Sequence, residues 1–520
     1  MERQSKKISP IILSIIVSLA ALFISGSSPL VERYTSGFLR VSGDSIVNAS
    51  GRNVLLRGFN VEFKDFLTNL GEQDIIKIAS LGANCIRLVI DYRNFETAPF
   101  QYHEYSFSLL DRVLDWCEKH GIYVILDMHL AQGIQNLHDF VVHREKEAFF
   151  WRDEQYQARF FALWTQIAKR CTDRKIIAGY DILNEGSPYS IDQYAVVLQT
   201  AAKKIRSVDS NHIMIMEEAL LPDGNKKLVL LDDPNVLYSI HFFFPSPFSF
   251  YATTTDRYVT TYPGEMVTAG EMISRSRVSV PEGTSAWRRL ELRATPPQGA
   301  EILLVQIFSE RNKGSVWFDD ISLTIDGRLI DLPAPLVANN SFEIDYPGFN
   351  WKMEGSCVSR DHHSGKTGRS SLFFANCKGH ATAMSSPISA KKGRGYVLTA
   401  YYKAENATGA ISIALSWHRK KVIEKIDRSV LEEKISYALE FKSRHAVPLY
   451  VGEFTAHANP SDESVKRYLG DLLDIMEAKG LHWTFWEYYS VYRGVGLYTG
   501  DVRHLANPTA LEVLREYLKR

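Results

Sequence analysis

Residues 177–185 read IAGYDILNE, a short apolar run that ends in two polar side chains, Asn184 and Glu185. Seven other runs have the same form, and amphipathic helical stretches separate them. The eight runs cover residues 56–60, 85–90, 123–129, 177–185, 213–218, 237–243, 448–454 and 482–487. This alternation predicts parallel strands joined by crossover helices, and eight such strands close a barrel. The sequence therefore predicts an α/β fold, a (β/α)8 TIM barrel.

The stretch between the second and third runs shows the helical pattern clearly. Apolar side chains recur at helical spacing, at Phe107, Leu110, Val113, Leu114 and Cys117. Lys119 and His120 then supply cations at the C-terminal end, and Gly121 supplies the glycine that commonly ends a helix. We expect a helix here, followed at once by a strand.

The repeat breaks between the sixth and seventh runs, where about 160 residues, 258–420, become short apolar runs separated by Gly, Pro and Asn turns. This predicts an inserted all-β domain. Residues 316–323, VWFDDISL, resemble the last strand of jelly-roll carbohydrate-binding modules, and residues 336–343, LVANNSFE, resemble their first. A circular permutation explains the reversed order, with 335–420 and 264–325 as the two halves of one sandwich. Two incomplete modules or an unrelated sandwich are the alternatives.

The N-terminal 30 residues have the pattern of an export segment. Arg3, Lys6 and Lys7 precede an apolar run over residues 8–24, and small residues follow it. This predicts a signal peptide, or a single membrane anchor, over residues 1–30. The predicted domains are then 31–257 and 421–520 for the two parts of the barrel, with 258–420 between them, all secreted or extracytoplasmic.

Five scattered cysteines exclude a disulfide-rich scaffold, and no Cys-x-x-Cys pair suggests zinc. Outside the cytoplasm Cys357 and Cys377 can pair, whereas Cys85 and Cys117 resemble small buried apolar residues. The 60 basic and 60 acidic side chains cancel, and no Lys/Arg block provides the basic surface that nucleic-acid binding needs. We expect no metal, no organic cofactor and no nucleic-acid partner.

In a parallel barrel the functional groups belong at the C-terminal ends of the strands. The polar and aromatic side chains carried there or nearby are Arg87, Asp127, His129, Asn184, Glu185, His241, Glu453, Trp483 and Trp486. Hydrolysis of a glycosidic bond needs one carboxylic acid for the departing oxygen and one carboxylate for the oxocarbenium-like centre. Arg87 and a histidine are expected to keep one glutamate ionised, which would raise the pKa of the other.

These stretches resemble glycoside hydrolase family 5, the cellulase family of retaining β-glycosidases. The matching segments are 56–60, 86–87, 126–129, 183–185, 240–241, 451–454 and 485–486. The resemblance implies that Glu185 is the acid/base and Glu453 the nucleophile. It further implies that Asn184 holds the sugar 2-hydroxyl and that Arg87 orients and ionises Glu453. By the same resemblance, His129 and His241 line the subsite of the attacked sugar, and Trp486 stacks on that sugar.

Two positions depart from the family pattern. Gly186 follows Glu185 where the family commonly has proline. Phe243 stands where the family usually has a tyrosine that donates a hydrogen bond to the nucleophile, so a hydroxyl is missing unless Tyr488, Tyr489 or another side chain supplies it. Glu217, Glu218 and Glu487 have no assigned role, because neighbouring acids on a strand point to opposite faces and only one can enter the site.

The expected function is that of an exported, monomeric enzyme: a retaining β-glycoside hydrolase acting on β-glucan-type polysaccharide, with endo-β-1,4-glucanase the leading activity. Residues 127–136 also resemble the third-strand loop of exo-β-1,3-glucanases in the family, and mannan or glycolipid substrates are further alternatives. The alternative of another class is a catalytically inactive glycan-binding protein. Aromatic side chains of the insert can stack on sugars, but most are expected in its core: Trp287, Trp317, Trp351, Trp417, Tyr401 and Tyr402.

Overall fold

A computed structural model describes most of the chain. The described residues are 37–63, 70–136, 149–249, 259, 261–281, 284–327, 341–343, 351–458, 460–490, 494–500 and 504–520. The predicted export segment, residues 1–30, lies outside them. Among the described residues, no helix combines the length and the apolar character needed to cross a bilayer.

Eight parallel strands close into a barrel, and they follow one another around it in chain order. Strand β8 pairs with β1 through Trp483 and Arg57, which completes the ring. The strands are β1 (Arg57–Glu62), β2 (Cys85–Asp91), β3 (Tyr123–Leu130), β4 (Ile177–Asp181), β5 (Ile213–Glu217), β6 (Val236–Phe242), β7 (Leu449–Phe454) and β8 (His482–Phe485). All eight predicted runs supply a strand, so the TIM barrel is confirmed.

In the part of the chain that the structure describes, seven helices of ten residues or more surround the barrel. They are α1 (Glu72–Leu81), α2 (Glu104–His120), α3 (Glu154–Cys171), α4 (Ile191–Arg206), α5 (Arg428–His445), α6 (Asp462–Ala478) and α7 (Pro508–Leu518). The predicted helix between the second and third strands is α2, and its predicted apolar positions are all buried. It ends at Gly121, whose φ of +69° suits glycine and whose N–H bonds back to Cys117.

The connection from β5 to β6 departs from the alternating pattern. It contains no helix; instead Ala219–Leu220 pairs with Lys226–Lys227 in a small hairpin. The turn residues Pro222, Asp223 and Gly224 lie at its tip and break any helix there. As a result, Lys226 lies at the same end of the barrel as the C-termini of β5 and β6, where it donates to the carbonyl oxygen of His241 at 2.9 Å.

Between β6 and β7 the chain forms an antiparallel sheet, which agrees with an all-β insert, whereas the jelly-roll sandwich form stays a prediction. Its strands are Gly264–Ser279, Thr284–Ala294, Ile302–Ile325, Lys352–Glu354, Val358–Asp361, Ser371–Ala375, His380–Met384, Ile388–Ser389 and Tyr396–Ile426. The last strand continues six residues beyond the predicted boundary at 420, and α5 begins two residues later.

One hydrophobic core serves both halves of the insert. Leu303 and Phe318 of the first half lie in the same buried cluster as Leu372 and Trp417 of the second. Strand Ile302–Ile325 also pairs along most of its length with Tyr396–Ile426. The two halves therefore fold as one unit. The circular permutation itself stays a prediction, because most of the joining segment, residues 328–340, lies outside the described residues.

The insert is rooted in the barrel at both ends. Tyr262, Met266 and Ile426 belong to the buried core of the barrel, and Gly264 pairs with Ile426 where the two chain segments leave it. The Tyr262 hydroxyl donates to Asp471 of α6 at 2.7 Å. Packing and hydrogen bonding thus hold the base of the insert against the barrel.

Cys357 and Cys377 form a disulfide within the insert, with their Cα atoms 5.2 Å apart. The predicted pairing is confirmed. Cys85, Cys117 and Cys171 are free and buried, so these thiols act as small apolar side chains in the barrel.

Candidate active site

The seven predicted site residues come together in the barrel. Six lie at or just beyond the C-terminal ends of strands β3, β4, β6, β7 and β8, and Arg87 lies inside the barrel on β2. Arg87 contacts both Asn184 and Glu453, and His241 contacts Glu185. The remaining two, His129 and Trp486, stack on each other with ring centroids 5.3 Å apart.

The Arg87 guanidinium is the central cation of this cluster, and it is completely buried. It donates hydrogen bonds of 2.6–3.1 Å to Asn60, Asp181, Asn184, Glu217 and Glu453, and it pairs with Asp127 at 3.0 Å. A planar guanidinium offers five N–H donors in fixed directions, which a lysine does not. Arg87 therefore sets the relative positions of groups from five other strands.

Four carboxylates around one guanidinium leave an excess of buried negative charge. Burial, together with the nearby charges of Glu217 and Asp127, raises the pKa of Asp181 well above its usual value. The raised pKa favours the neutral form of Asp181. Oxygens of Asp127, Asp181 and Glu217 also lie within 4.8 Å of one another, close enough to share a metal ion, but the cation at their centre is Arg87.

Glu453 lies 6% exposed at the end of β7. Its Oε1 accepts from Arg87 at 2.6 Å, and its Oε2 lies 3.7 Å from Nδ1 of His241. Burial raises the pKa of Glu453, and this effect exceeds the opposing pull of the His241 and Arg87 charges.

Glu185 follows β4 with a φ of +41°, a conformation that costs a non-glycine residue energy and must be held in place. Its N–H donates to Oε2 of Glu217 at 2.7 Å. Its Oε1 accepts from Nδ1 of His241 at 2.9 Å, and its Oε2 accepts from Asn136 at 3.1 Å. Burial alone would raise the pKa of Glu185, but the hydrogen bond and charge of His241 bring it down to about 2.

These directions correct the expectation that Glu453 is the more acidic glutamate and that its charge raises the pKa of Glu185. The expectation considered only the effect of one glutamate's charge on the pKa of the other. It did not include His241, which lies beside both. Burial lowers the pKa of His241, but Glu217, Glu453 and Glu185 together raise it well above its usual value. The imidazolium then holds Glu185 ionised in the unliganded site.

Glu217 contacts several of the predicted site residues, although the sequence alone gave it no role. It accepts from Arg87 and from the N–H of Glu185, and its Oε1 lies 3.3 Å from Nε2 of His241. Glu218 points to the opposite side, where Lys226 and Tyr437 donate to it. The alternation of neighbouring strand acids was predicted. Which of the two faces inward depends on strand register, which the sequence does not define closely.

The structure shows the surroundings of the two residues that depart from the family pattern, Gly186 and Phe243. A Cβ at Gly186 would lie 2.8 Å from the ring of Tyr194, so this turn leaves little room for a side chain. Phe243 packs edge-on to His241 and brings no hydroxyl. The Tyr488 hydroxyl donates to Asp74 at 3.3 Å. Among the described residues, Arg87 is the one hydrogen-bond donor to Glu453.

The geometry of Asn184 and Trp486 is compatible with sugar binding. Oδ1 of Asn184 accepts from Arg87, which directs the amide N–H groups away from the guanidinium. Trp486 is half-buried, and one face of its indole is covered by His129. A sugar ring would therefore stack on the other face.

Residues 47–274 match the family model described as Cellulase (glycosyl hydrolase family 5). A β-xylosidase of Phanerodontia chrysosporium is 34% identical over 230 residues, 36% of this chain and 46% of that protein. Endoglucanase C of Acetivibrio thermocellus is 31% identical over 184 residues, 35% of this chain and 52% of that protein.

A sporulation-specific glucan 1,3-β-glucosidase of Saccharomyces cerevisiae is 34% identical over 160 residues, 29% of this chain and 36% of that protein. The chain thus spans about half the length, or less, of these curated relatives. The solved structure of endoglucanase Cel5A from Thermotoga maritima aligns with 88% of this chain and 96% of its own, at 17% identity and a TM-score of 0.46. On the family match, the segment 47–274 belongs to the cellulase family, glycosyl hydrolase family 5.

Proposed function

We propose that this protein is a retaining β-glycoside hydrolase in which Glu453 is the nucleophile and Glu185 the acid/base. One observation carries the proposal: one carboxylate oxygen of Glu185, one of Glu453 and one ring nitrogen of His241 all lie within 4.8 Å of one another. Retaining enzymes hold their two carboxyl groups roughly 5 to 5.5 Å apart, whereas inverting enzymes need roughly 6.5 to 9.5 Å to admit a water.

In the first step Glu453 attacks the anomeric carbon while Glu185 gives a proton to the departing oxygen. The C–O bond to the leaving group breaks and a glycosyl ester on Glu453 forms. Glu185, now a carboxylate, then takes a proton from water, which attacks the anomeric carbon and releases Glu453. Arg87 orients Glu453 throughout, because it donates to the Oε1 atom at 2.6 Å.

The proposed substrate is a β-glucan-type polysaccharide, and endo-β-1,4-glucanase is the leading activity. The relatives include an endoglucanase, a β-xylosidase and a glucan 1,3-β-glucosidase, which supports a β-glycan substrate. Exo-β-1,3-glucan, mannan and glycolipid substrates are the alternatives. No metal or organic cofactor is required by the two-glutamate chemistry.

We further propose that the protein is exported and acts as a monomer, outside the cytoplasm. The Cys357–Cys377 disulfide supports this location, since disulfides persist in oxidising compartments. Residues 1–30 would be the export segment, whether cleaved or kept as an anchor.

The proposal is tested with a panel of aryl β-glycosides and polysaccharides. We expect the wild-type protein to release product, and NMR of the first product to show the β-anomer. Glu453→Gln should abolish turnover. Glu185→Gln should abolish turnover of polysaccharide but spare cleavage of an aryl glycoside whose phenol leaves without a proton. Activity that survives Glu453→Gln would refute the proposal, and binding without turnover by the wild-type protein would favour a glycan-binding function.

A further inference from the structure

His241 occupies a site in which carboxylates surround its ring. Nδ1 lies 2.9 Å from Glu185 and 3.7 Å from Glu453, and Nε2 lies 3.3 Å from Glu217. Gly452 on β7 makes this position possible, because a Cβ there would lie 2.9 Å from Nε2. With both ring nitrogens facing anions, the doubly protonated imidazolium is the form that fits.

The charged groups around His241 come from every element packed against β6. They are Glu185 after β4, Glu217 on β5, Glu218 just after β5, Glu453 on β7 and Lys226 of the hairpin. Glu218 and Lys226 bind the backbone of His241 rather than its ring. The contact between Nε2 and Glu217 is poorly aligned for a hydrogen bond, so its effect is mainly that of charge.

Glu217 differs from the other two carboxylates that face the ring. Glu185 and Glu453 change charge or form a covalent bond during the proposed reaction, whereas Glu217 is held by Arg87 at 2.7 Å and by the N–H of Glu185 at 2.7 Å. It is 1% exposed. Glu217 is therefore a fixed negative charge beside the imidazole.

We propose that Glu217 is a positioning residue that keeps the resting proton of the active site on His241, and that this proton passes to Glu185 when a glycoside binds. This inference rests on the proposed function. It explains how Glu185 can act as the acid although it is ionised in the unliganded site.

Substrate binding supplies the driving force for the transfer. The Glu185 side chain is 24% exposed, so a bound glycoside covers it and removes its water. Loss of solvation favours the neutral carboxyl group. The Nδ1–H bond of His241 then breaks as an O–H bond forms on Oε1 of Glu185, over 2.9 Å, and an ion pair becomes a neutral pair.

The proton continues to the glycosidic oxygen as its bond to the sugar breaks. Glu185 is left as a carboxylate beside a neutral imidazole. In the second half-reaction Glu185 takes a proton from the attacking water and returns it to Nδ1 of His241, which restores the resting site. Every proton that leaves the pair is replaced by one from water, so one hydrolysis leaves the enzyme unchanged.

The test is Glu217→Gln, which removes the charge and keeps the size. Without this anion the pKa of His241 falls, so the proton is lost at a lower pH. At pH 7 we expect kcat/KM for a phenyl β-glycoside to fall about 100-fold, the scale of general acid catalysis, and to recover on acidification. With a 2,4-dinitrophenyl glycoside, which needs no acid, the loss should be at most about 5-fold.

Glu218→Gln is the matched control, since Glu218 is the adjacent buried acid but contacts only the backbone of His241. It should lower both rates by the same factor and leave the alkaline limb of the pH profile in place. Equal losses for both leaving groups in Glu217→Gln, or an unmoved alkaline limb, would overturn the proposal.

A second readout does not depend on turnover. Nitrogen-15 NMR of the imidazole should show His241 protonated to a higher pH in the wild-type protein than in Glu217→Gln. Equal titration of the two proteins would refute the inference even if the enzyme is active. Inactivity of the wild-type protein with a normal titration difference would instead contradict the proposed function.

Discussion

The barrel contains a buried cluster of charged side chains, whereas the ion pairs of the insert lie nearer to solvent. In the barrel, Arg87 and the carboxylates that pair with it are at most 6% exposed. In the insert the ion pairs lie at the surface, as in Arg293–Glu291 and Arg394–Asp326, with the arginines more than half exposed. Solvent screens such surface pairs, so each contributes little to the stability of the fold.

The aromatic side chains of the insert are also mostly unavailable. Trp351, Trp417 and Tyr402 are buried in its core. Lys403 covers the ring of Trp317, and Lys366 covers that of Tyr401. Of the six aromatic candidates for glycan binding, Trp287 is half-buried, and none of the described cationic side chains lies over its ring. The proposed catalytic groups therefore all belong to the barrel, whereas glycan binding by the insert stays a prediction.

The largest expected contrast is in activity. Glu453→Gln removes the proposed nucleophile and should lower kcat/KM by about 10⁴-fold or more. Asp319→Asn, at a fully buried acid of the insert, should change it by less than about 2-fold. Initial rates on an aryl β-glycoside measure both. Comparable losses in the two variants would show that the insert takes part in the reaction.

The next contrast is in stability. Arg87→Lys keeps the charge but cannot supply all the hydrogen bonds of the guanidinium, so buried carboxylates lose their partners. We expect the free energy of unfolding to fall by about 3 kcal/mol. Arg293→Lys, at a surface pair of the insert, should leave the free energy of unfolding nearly unchanged. Denaturant unfolding measures both, and similar values would mean that the Arg87 cluster is more hydrated than its burial indicates.

The sequence predicted the elements whose pattern is local. Each barrel strand is a short apolar run, and the polar group near its end falls where a parallel barrel places functional residues. This pattern singled out Arg87, Glu185 and Glu453, and the resemblance to glycoside hydrolase family 5 implied the roles proposed for them. The disulfide partners were also assigned correctly, from the expected compartment.

What the sequence could not provide depends on three-dimensional neighbours. The inward direction of Glu217 depends on strand register, and the ionisation of Glu185 depends on a histidine 56 positions away. Between β5 and β6, the turn residues Pro222 to Gly224 indicate that no helix forms. The apolar runs on either side nevertheless fit the alternating pattern, so this departure was not predicted. Charge states in a buried cluster cannot be assigned pair by pair from sequence, since every member shifts the pKa of the others.

Reducing the Cys357–Cys377 disulfide should lower the unfolding temperature of the insert and leave that of the barrel unchanged. The bond closes a loop of about 20 residues in the insert, so its loss should destabilise that region by about 3 kcal/mol. The barrel has no described disulfide and should keep its stability. Calorimetry with and without reductant, combined with activity after mild heating, measures this. A fall in barrel stability of the same size would show that the insert supports the barrel.

The smallest expected effect is the pH dependence of the insert. Burial raises the pKa of Asp319 to about 6, although backbone N–H groups of Thr367, Asp320 and Lys366 bind its carboxylate. A carboxyl whose pKa is higher in the folded state stabilises the fold at low pH. That contribution is lost as pH rises from about 4, where the unfolded chain ionises, through about 6.

The melting temperature of the insert should therefore rise by a few degrees between pH 7 and pH 5. Asp319→Asn, which cannot ionise, should remove that rise while leaving the low-pH stability nearly unchanged. The barrel provides the internal reference, because the variant lies outside its core and its transition should keep the wild-type pH dependence. If Asp319→Asn instead destabilises the insert equally at both pH values, the hydrogen bonds accepted by the carboxylate matter more than its burial.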